Sequence, residues 1–221
     1  MIVTIDGPAG AGKSTSSREL AKRLGFRFLD TGAMYRAVAL AAQRRGHDWD
    51  QPESLAELAQ TLHIELSDSQ VLLDGEDVSR KIRTMEITSL THFAANNAGV
   101  RRHLVELQRQ AAGADNVVTE GRDQGTVVFP HAECKIFLTA SPEERARRRL
   151  MDLERYGEHV TFEEVLARQI ERDERDASRV DGPLRKADDA IEFCTDGLTE
   201  EEVVDGLVRI VESRMAAIAR T

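Results

Sequence analysis

The chain has 221 residues, 41% of them hydrophobic, enough core for one α/β domain with an insertion or at most two small domains. Its 39 acidic residues against 30 basic leave −9 at pH 7, which argues against a broad nucleic-acid surface and requires any phosphate binding to come from locally gathered arginines. Cys134 and Cys194 are too few and too far apart for a disulfide framework. Each reads as the small apolar occupant of a buried strand.

Residues 1–6 form a short β-branched apolar run suited to a buried strand, and no signal peptide is expected ahead of it. No apolar run approaches membrane-spanning length, so a soluble, cytoplasmic protein is expected. Gly7-Pro8-Ala9-Gly10-Ala11-Gly12-Lys13-Ser14 then fits G-x-x-x-x-G-K-[ST]. Gly7, Gly10 and Gly12 allow backbone angles that a Cβ would block, so successive N–H groups can wrap an anion at a helix N-terminus. Lys13 can reach the β- and γ-phosphates, and the Ser14 hydroxyl can hold Mg²⁺. Leu20, Ala21 and Leu24 follow at helical spacing, with Gly25 as the C-terminal cap. Strand, glycine loop and helix is the context this motif requires.

A second strand over 26–30 leads into a helix from about Ala33 to Arg45, closed by Gly46. Thr31, Tyr35 and Arg36 lie where α/β strands end and are site candidates, although Asp30 could simply cap the helix. After a short helix over about 52–62, Ile64, Leu66, Val71 and Leu73 alternate around an Asp68-Ser69 turn, and Asp74-Gly75 marks another. This is a small antiparallel insert that could close over a second substrate. Helices are predicted from Glu86 to Asn97 and then along a face carrying Val100, Leu104, Leu107 and Ala111, with Arg102 and Arg109 solvated. A buried strand at 117–120 runs into Gly121-Arg-Asp-Gln-Gly125, and another strand spans 134–139. Ser141-Pro-Glu-Glu144, Thr161 to Glu164 and Thr199 to Glu202 are three capping boxes. The helix opened by the first is dense in arginine (Arg145, Arg147, Arg148, Arg149), and the second runs to Arg172-Asp-Glu-Arg-Asp-Ala-Ser-Arg179. Such alternating charge is usually a solvated face; beside a nucleotide site it suits a lid closing over phosphates. Residues 190–194 make a fifth core strand.

With the glycine loop, Asp30-Thr-Gly-Ala-Met-Tyr-Arg36, the run from Gly121 to Pro130 and Arg172 to Arg179 in view, the chain resembles the bacterial cytidylate kinases nearly end to end. The resemblance implies an α/β nucleoside-monophosphate-kinase fold, a five-stranded parallel sheet flanked by helices. Residues 1–62 and 90–221 would form its kinase core, with a helical lid at about 150–185. Residues 63–89 would be the monophosphate-binding insert. It implies an ATP-dependent enzyme that phosphorylates CMP and dCMP with Mg²⁺. Its phosphate-holding arginines fall on Arg36, Arg122 and Arg179, its ribose contacts on Thr31, Arg172 and Asp176, and its cytosine readers on Arg101 and Asp123, with Tyr35 near the monophosphate. ATP would lie along Gly7 to Thr15. The resemblance implies that Lys13, Arg122, Arg179 and Asp123 would carry the chemistry, with Ser14 on the metal. The chain departs from the family pattern at His92, where a small hydroxyl residue is common, at Gln124, where an apolar one is usual, and at Glu120, where Asp is common. Glu120 could bind Mg²⁺ through water or pair with a lid arginine.

The chemistry agrees. Asp123 can accept from the cytosine amine while Arg101 donates to N3 and O2, and uracil would set a carbonyl against the carboxylate. One such mispairing costs about 1–3 kcal/mol. The transfer needs positioning and charge neutralisation rather than a strong base, because the nucleophile is already a phosphate oxygen. The alternative is a kinase of another monophosphate, such as UMP, or of a small metabolite such as shikimate. A GTPase switch would need Asn-Lys-x-Asp and Asp-x-x-Gly, and neither occurs. The partners expected are small molecules, with no nucleic acid or membrane, and a monomeric state.

Overall fold

Alternating strands and helices build the chain, and the helices that cover a parallel sheet explain why its inner strands read as continuous apolar runs. The computed structural model describes residues 1–67, 70–155, 158 and 160–220. β1 (Ile2–Asp6) enters the glycine loop and α1 (Lys13–Leu24); β2 (Arg27–Asp30) enters α2 (Thr31–Arg44). Then come α3 (Pro52–Gln60), the short strands β3 (Ile64–Leu66), β4 (Val71–Leu73) and β5 (Glu76–Asp77), and a 3₁₀ turn at Lys81–Arg83. The helices α4 (Met85–Asn96) and α5 (Ala98–Ala112) lead to β6 (Val117–Gly121) and a π turn at Gln124–Val128. β7 (Cys134–Thr139), α6 (Pro142–Arg155), α7 (Phe162–Ala177), β8 (Ile191–Cys194) and α8 (Glu200–Ile218) follow.

The large sheet has five strands in the order β2-β6-β1-β7-β8. Its central strand is the one that feeds the glycine loop, and its parallel register pairs Asp6 with both Gly121 and Phe137. The three short strands pair antiparallel, Leu66 with Val71 and Leu73 with Glu76. The expected fold class is therefore present. Asp74 (φ 51°) and Gly75 (φ 83°) turn one strand into the next in left-handed conformations. The Asp68-Ser69 turn lies outside the described residues.

The chain divides into two compact units, residues 1–26 with 116–221, and residues 27–115. In the first, Val3, Ile5, Leu20, Val118, Ile136, Leu138, Val204 and Leu207 are buried. Two expectations fail at its edge. β8 exposes Ile191, Glu192 and Cys194, because it is an outer strand paired only with β7 among the described residues. Cys134 is buried as expected but Cys194 is exposed. The Ser141 box is half formed: Glu144 N donates to Ser141 Oγ at 3.3 Å, but Ser141 N donates to Asp196 at 2.9 Å and Glu144 turns to Arg148. The Thr161 and Thr199 boxes form in both directions.

In the second unit, Met34, Val38 and Leu40 of α2 pack with Leu55, Val71, Leu73, Ile82, Ile87 and Leu104. α2 begins at Thr31, ahead of the expected Ala33, because Asp30 Oδ1 accepts from Ala33 N at 3.0 Å and caps the helix. α5 buries Val100, Arg101, Leu104, Val105, Gln108 and Ala112. Its inner face is thus rotated from the expected Leu107–Ala111 line; Arg102 and Arg109 are exposed as predicted.

Candidate active site

The cradle comes first. Gly10 and Gly12 take φ of 83° and 87°, left-handed angles suited to glycine. A Cβ on Gly7 would stand 1.9 Å from the Leu138 carbonyl oxygen, so the loop crosses β7 at a distance no other residue allows. Gly10, Gly12, Ser14 and Thr15 are exposed, while Pro8, Ala9, Ala11 and Lys13 are buried. Lys13 Nζ donates to Pro8 O at 2.8 Å. Burial pushes its ammonium down to about 7; the Arg122 charge adds to this, Glu120 opposes it, Arg172 adds again and Asp6 opposes. Ser14 Oγ donates to Glu120 Oε1 at 2.8 Å.

Sequence reasoning overlooked Asp6. At the end of β1 its carboxylate accepts from Gln124 N at 2.8 Å and Gly125 N at 2.7 Å, and so pins the loop carrying Arg122 and Asp123. Burial pushes its carboxyl up to about 7 against those two bonds; Asp123 adds to the rise and Lys13 opposes it. The only sequence signal was an acidic residue inside an apolar strand directly before the glycine loop. Gln124 is also fixed deep in the unit: its Oε1 accepts from Thr119 Oγ1 at 2.8 Å, and a Cβ on Gly121 would stand 2.8 Å from its Cγ. Asp123 is buried beside it.

Three predicted residues meet at one carboxylate. Asp176 Oδ2 accepts from Arg122 Nε at 2.8 Å, and Oδ1 accepts from Arg179 Nη2. Burial opposes ionisation of Asp176, but the charges of Arg122 and Arg179, the Arg122 hydrogen bond and Arg172 together hold its carboxyl below the usual range. Arg172, exposed on α7, lies close enough for its charge to act on both Asp176 and Lys13.

The arginines of α6 differ from the expected lid set. Arg145 is buried, pairs with Asp173 at 2.7 Å and donates to Ala140 O and Ala9 O at 3.0 and 3.1 Å. Arg148 holds Glu144 and Thr195. Both brace the fold. Arg147 is exposed and pairs loosely with Glu144.

Within the second unit, Thr31 and Tyr35 are buried at the start of α2, and Arg36 is half-buried, its Nη1 close to Gly32. Arg101, buried on α5, sets its guanidinium 5.8 Å from the Tyr35 ring centroid and donates to Ala95 O at 3.4 Å. Asp30, besides capping α2, accepts from Arg83 at 2.8 Å. His92 Nδ1 lies 2.7 Å from Ser89 O, and its ring centroid is 4.1 Å from that of Phe93.

A glycine cradle with its lysine and an arginine–aspartate cluster past the neighbouring strand describe a P-loop kinase. The model of the family described as cytidylate kinase matches residues 3–213. The chain belongs to the cytidylate kinase family. Among curated relatives, the cytidylate kinase of Rhodopirellula baltica is 49% identical, covering 99% of this chain and 96% of that protein. The cytidylate kinase of Geobacter sp. strain M21 is also 49% identical, covering 98% and 94%. Among solved structures, a shikimate kinase from Bacteroides thetaiotaomicron matches with a TM-score of 0.50 at 16% identity, covering 96% of this chain and 98% of that one. That likeness shows the shared fold alone.

Proposed function

We propose how this member of the cytidylate kinase family carries out its reaction. That reaction moves the γ-phosphoryl group of ATP to CMP or dCMP, giving ADP and the cytidine or deoxycytidine diphosphate. ATP lies along Gly7 to Thr15, its phosphates facing the loop N–H groups and Lys13. Arg36, Arg122 and Arg179 hold the acceptor phosphate; Thr31, Arg172 and Asp176 address the ribose, and Tyr35 lies near the monophosphate. Asp123 accepts from the cytosine amine and Arg101 donates to N3 and O2. The acceptor oxygen attacks in line without a strong general base, and the arginines balance charge spreading over the transferring group.

The observation that carries this reading is the clustering of cations in the first unit. Arg122 and Arg172 both depress Lys13, so three positive groups from the glycine loop, the loop after β6 and α7 are gathered within electrostatic reach. Glu120 and Asp176 offset part of this charge, and a bound polyphosphate would offset the rest.

Mg²⁺ fits the oxygen donors beside the cradle: the Ser14 hydroxyl would hold it, and the Glu120 carboxylate could reach it through water. When bound, it would offset the charge of the donor phosphates.

The test is ADP formation from ATP with a panel of CMP, dCMP, UMP, AMP and shikimate. Cytosine nucleotides are expected to react fastest; a preference for any other acceptor overturns the substrate assignment. Asp123→Ala should raise KM for CMP more than for UMP, and equal losses would remove Asp123 from base reading.

A further inference from the structure

The Ala9 carbonyl points into the protein and meets two buried donors. Gln169 Nε2 donates to it at 2.7 Å and Arg145 Nη1 at 3.1 Å. Both side chains are more than nine-tenths buried, and each comes from a helix over 130 positions away along the chain. A carbonyl has two lone pairs, so its hydrogen-bonding capacity is filled. The peptide joining Ala9 to Gly10 is planar and trans, which puts the Gly10 N–H on the side opposite the carbonyl. Fixing the oxygen on the buried side therefore holds that N–H on the side where Gly10, Gly12 and Ser14 are exposed.

The braces are themselves fixed. Arg145 Nη2 pairs with Asp173 at 2.7 Å, and its Nε donates to Ala140 O. A Cβ on Gly10 would stand 3.2 Å from the Arg145 Cβ, so the loop rests directly on this side chain. Gln169, Asp173 and Asp176 are spaced four and three residues apart and share one face of α7. Along that face, Gln169 holds the cradle, Asp173 holds the second brace and Asp176 holds Arg122 and Arg179.

From this arrangement we infer that Gln169 and Arg145 are positioning residues for the phosphoryl donor: they fix the Ala9–Gly10 peptide so that its N–H faces the ATP phosphates. The inference rests on the reading of Gly7 to Ser14 as the ATP cradle, which wild-type ATP binding tests separately. Gly10 itself is free of the braces' chemistry; only its orientation depends on them.

Gln169→Leu keeps the side chain's bulk and removes the donor. Arg145→Lys keeps the charge opposite Asp173 but gives up the fork that reaches Ala9. The measurements are the melting temperature of the ligand-free protein, the Kd for a non-hydrolysable ATP analogue, and KM for ATP and CMP separately. For Gln169→Leu, we expect a ligand-free melting temperature within a few degrees of wild type, a Kd and KM for ATP about tenfold higher, and a KM for CMP within twofold. Arg145→Lys should shift ATP in the same direction, and the double variant should fall short of the product of the two, because both donors serve one oxygen. An ATP Kd within twofold of wild type in both variants overturns the inference. So does an equal rise in KM for both substrates, which would mean general loosening. If Gln169→Leu does not fold, Arg145→Lys and Gln169→Glu, which sets an acceptor against the carbonyl, decide the matter by the same split.

Discussion

Asp176 binds Arg122 through one carboxylate oxygen and Arg179 through the other, joining a loop at the end of β6 to the residues just past α7. All three side chains are at least four-fifths buried, so this pairing is not the exposed kind that contributes little. Removing the carboxylate leaves two guanidinium groups repelling each other in a poorly solvated site. Asp176→Asn should therefore cost about 3–5 kcal/mol in urea unfolding at pH 7. The sign with pH follows from the depressed carboxyl: its stabilisation is present above the ordinary Asp range and lost as pH falls through the lower folded value. The gap between wild type and Asp176→Asn should begin to narrow as pH falls below about 4, and a gap unchanged between about pH 6 and pH 3 would refute the pairing as its cause.

Two glycines separate backbone angle from close approach. Gly25 has φ 67° with nothing near its Cβ position, so Gly25→Ala should cost about 1 kcal/mol from strain alone. Gly7 would drive a Cβ into the Leu138 carbonyl at 1.9 Å, and either β7 or the loop must move. Gly7→Ala should cost more than about 4 kcal/mol, or fail to accumulate as folded protein. Equal stability of the two variants would show that the loop can shift freely off the sheet.

Asp6 gives a pH signature of opposite sign to Asp176. Its carboxyl, pushed up to about 7 by burial, holds a proton in the folded state over a range where the unfolded chain has lost it. Its contribution to stability is greatest at or below about pH 4 and declines as pH rises through about 7. Lys13, lowered to about 7, acts above that value and in the other direction, so the window below pH 7 isolates Asp6. In guanidinium titrations at pH 5 and pH 7, wild type should lose stability relative to Asp6→Asn; a difference that does not change with pH rules out this titration.

What the sequence disclosed and what it hid divide by how far apart the partners stand. The glycine loop was legible because its whole chemistry lies within eight consecutive residues, and the lysine and hydroxyl follow from spacing. The capping boxes at Thr161 and Thr199 were legible for the same reason. Asp6 was hidden because it bonds main-chain N–H groups of Gln124 and Gly125, which carry no side-chain signature. Arg145 looked like its solvated neighbours on α6, but Asp173 and the Ala9 carbonyl, both remote in the chain, help draw it inward. The exposure of β8 follows from its place at the edge of the sheet, which strand order alone decides.

The last prediction concerns Arg83. Its guanidinium donates to Asp30 Oδ2 at 2.8 Å while Asp30 Oδ1 caps α2, so one carboxylate joins the 3₁₀ turn after the small sheet to the start of the helix bearing Thr31, Tyr35 and Arg36. The two partners are unequal. Arg83 is 47% exposed and Asp30 only 8%, so the ion pair is screened from the arginine's side and contributes at most about 1 kcal/mol. The cap is worth about as much again and is made by the buried partner. Arg83→Ala should therefore lower the melting temperature only slightly, leave KM for ATP unchanged and raise KM for CMP a few-fold, because the helix start keeps its cap but loses its outer tether. Asp30→Ala removes cap and tether together and should destabilise by about 1–2 kcal/mol more. Steady-state kinetics with each substrate varied in turn distinguishes the cases: if Arg83→Ala changes KM for ATP as much as KM for CMP, the tether does not act through the α2 residues proposed to hold the acceptor.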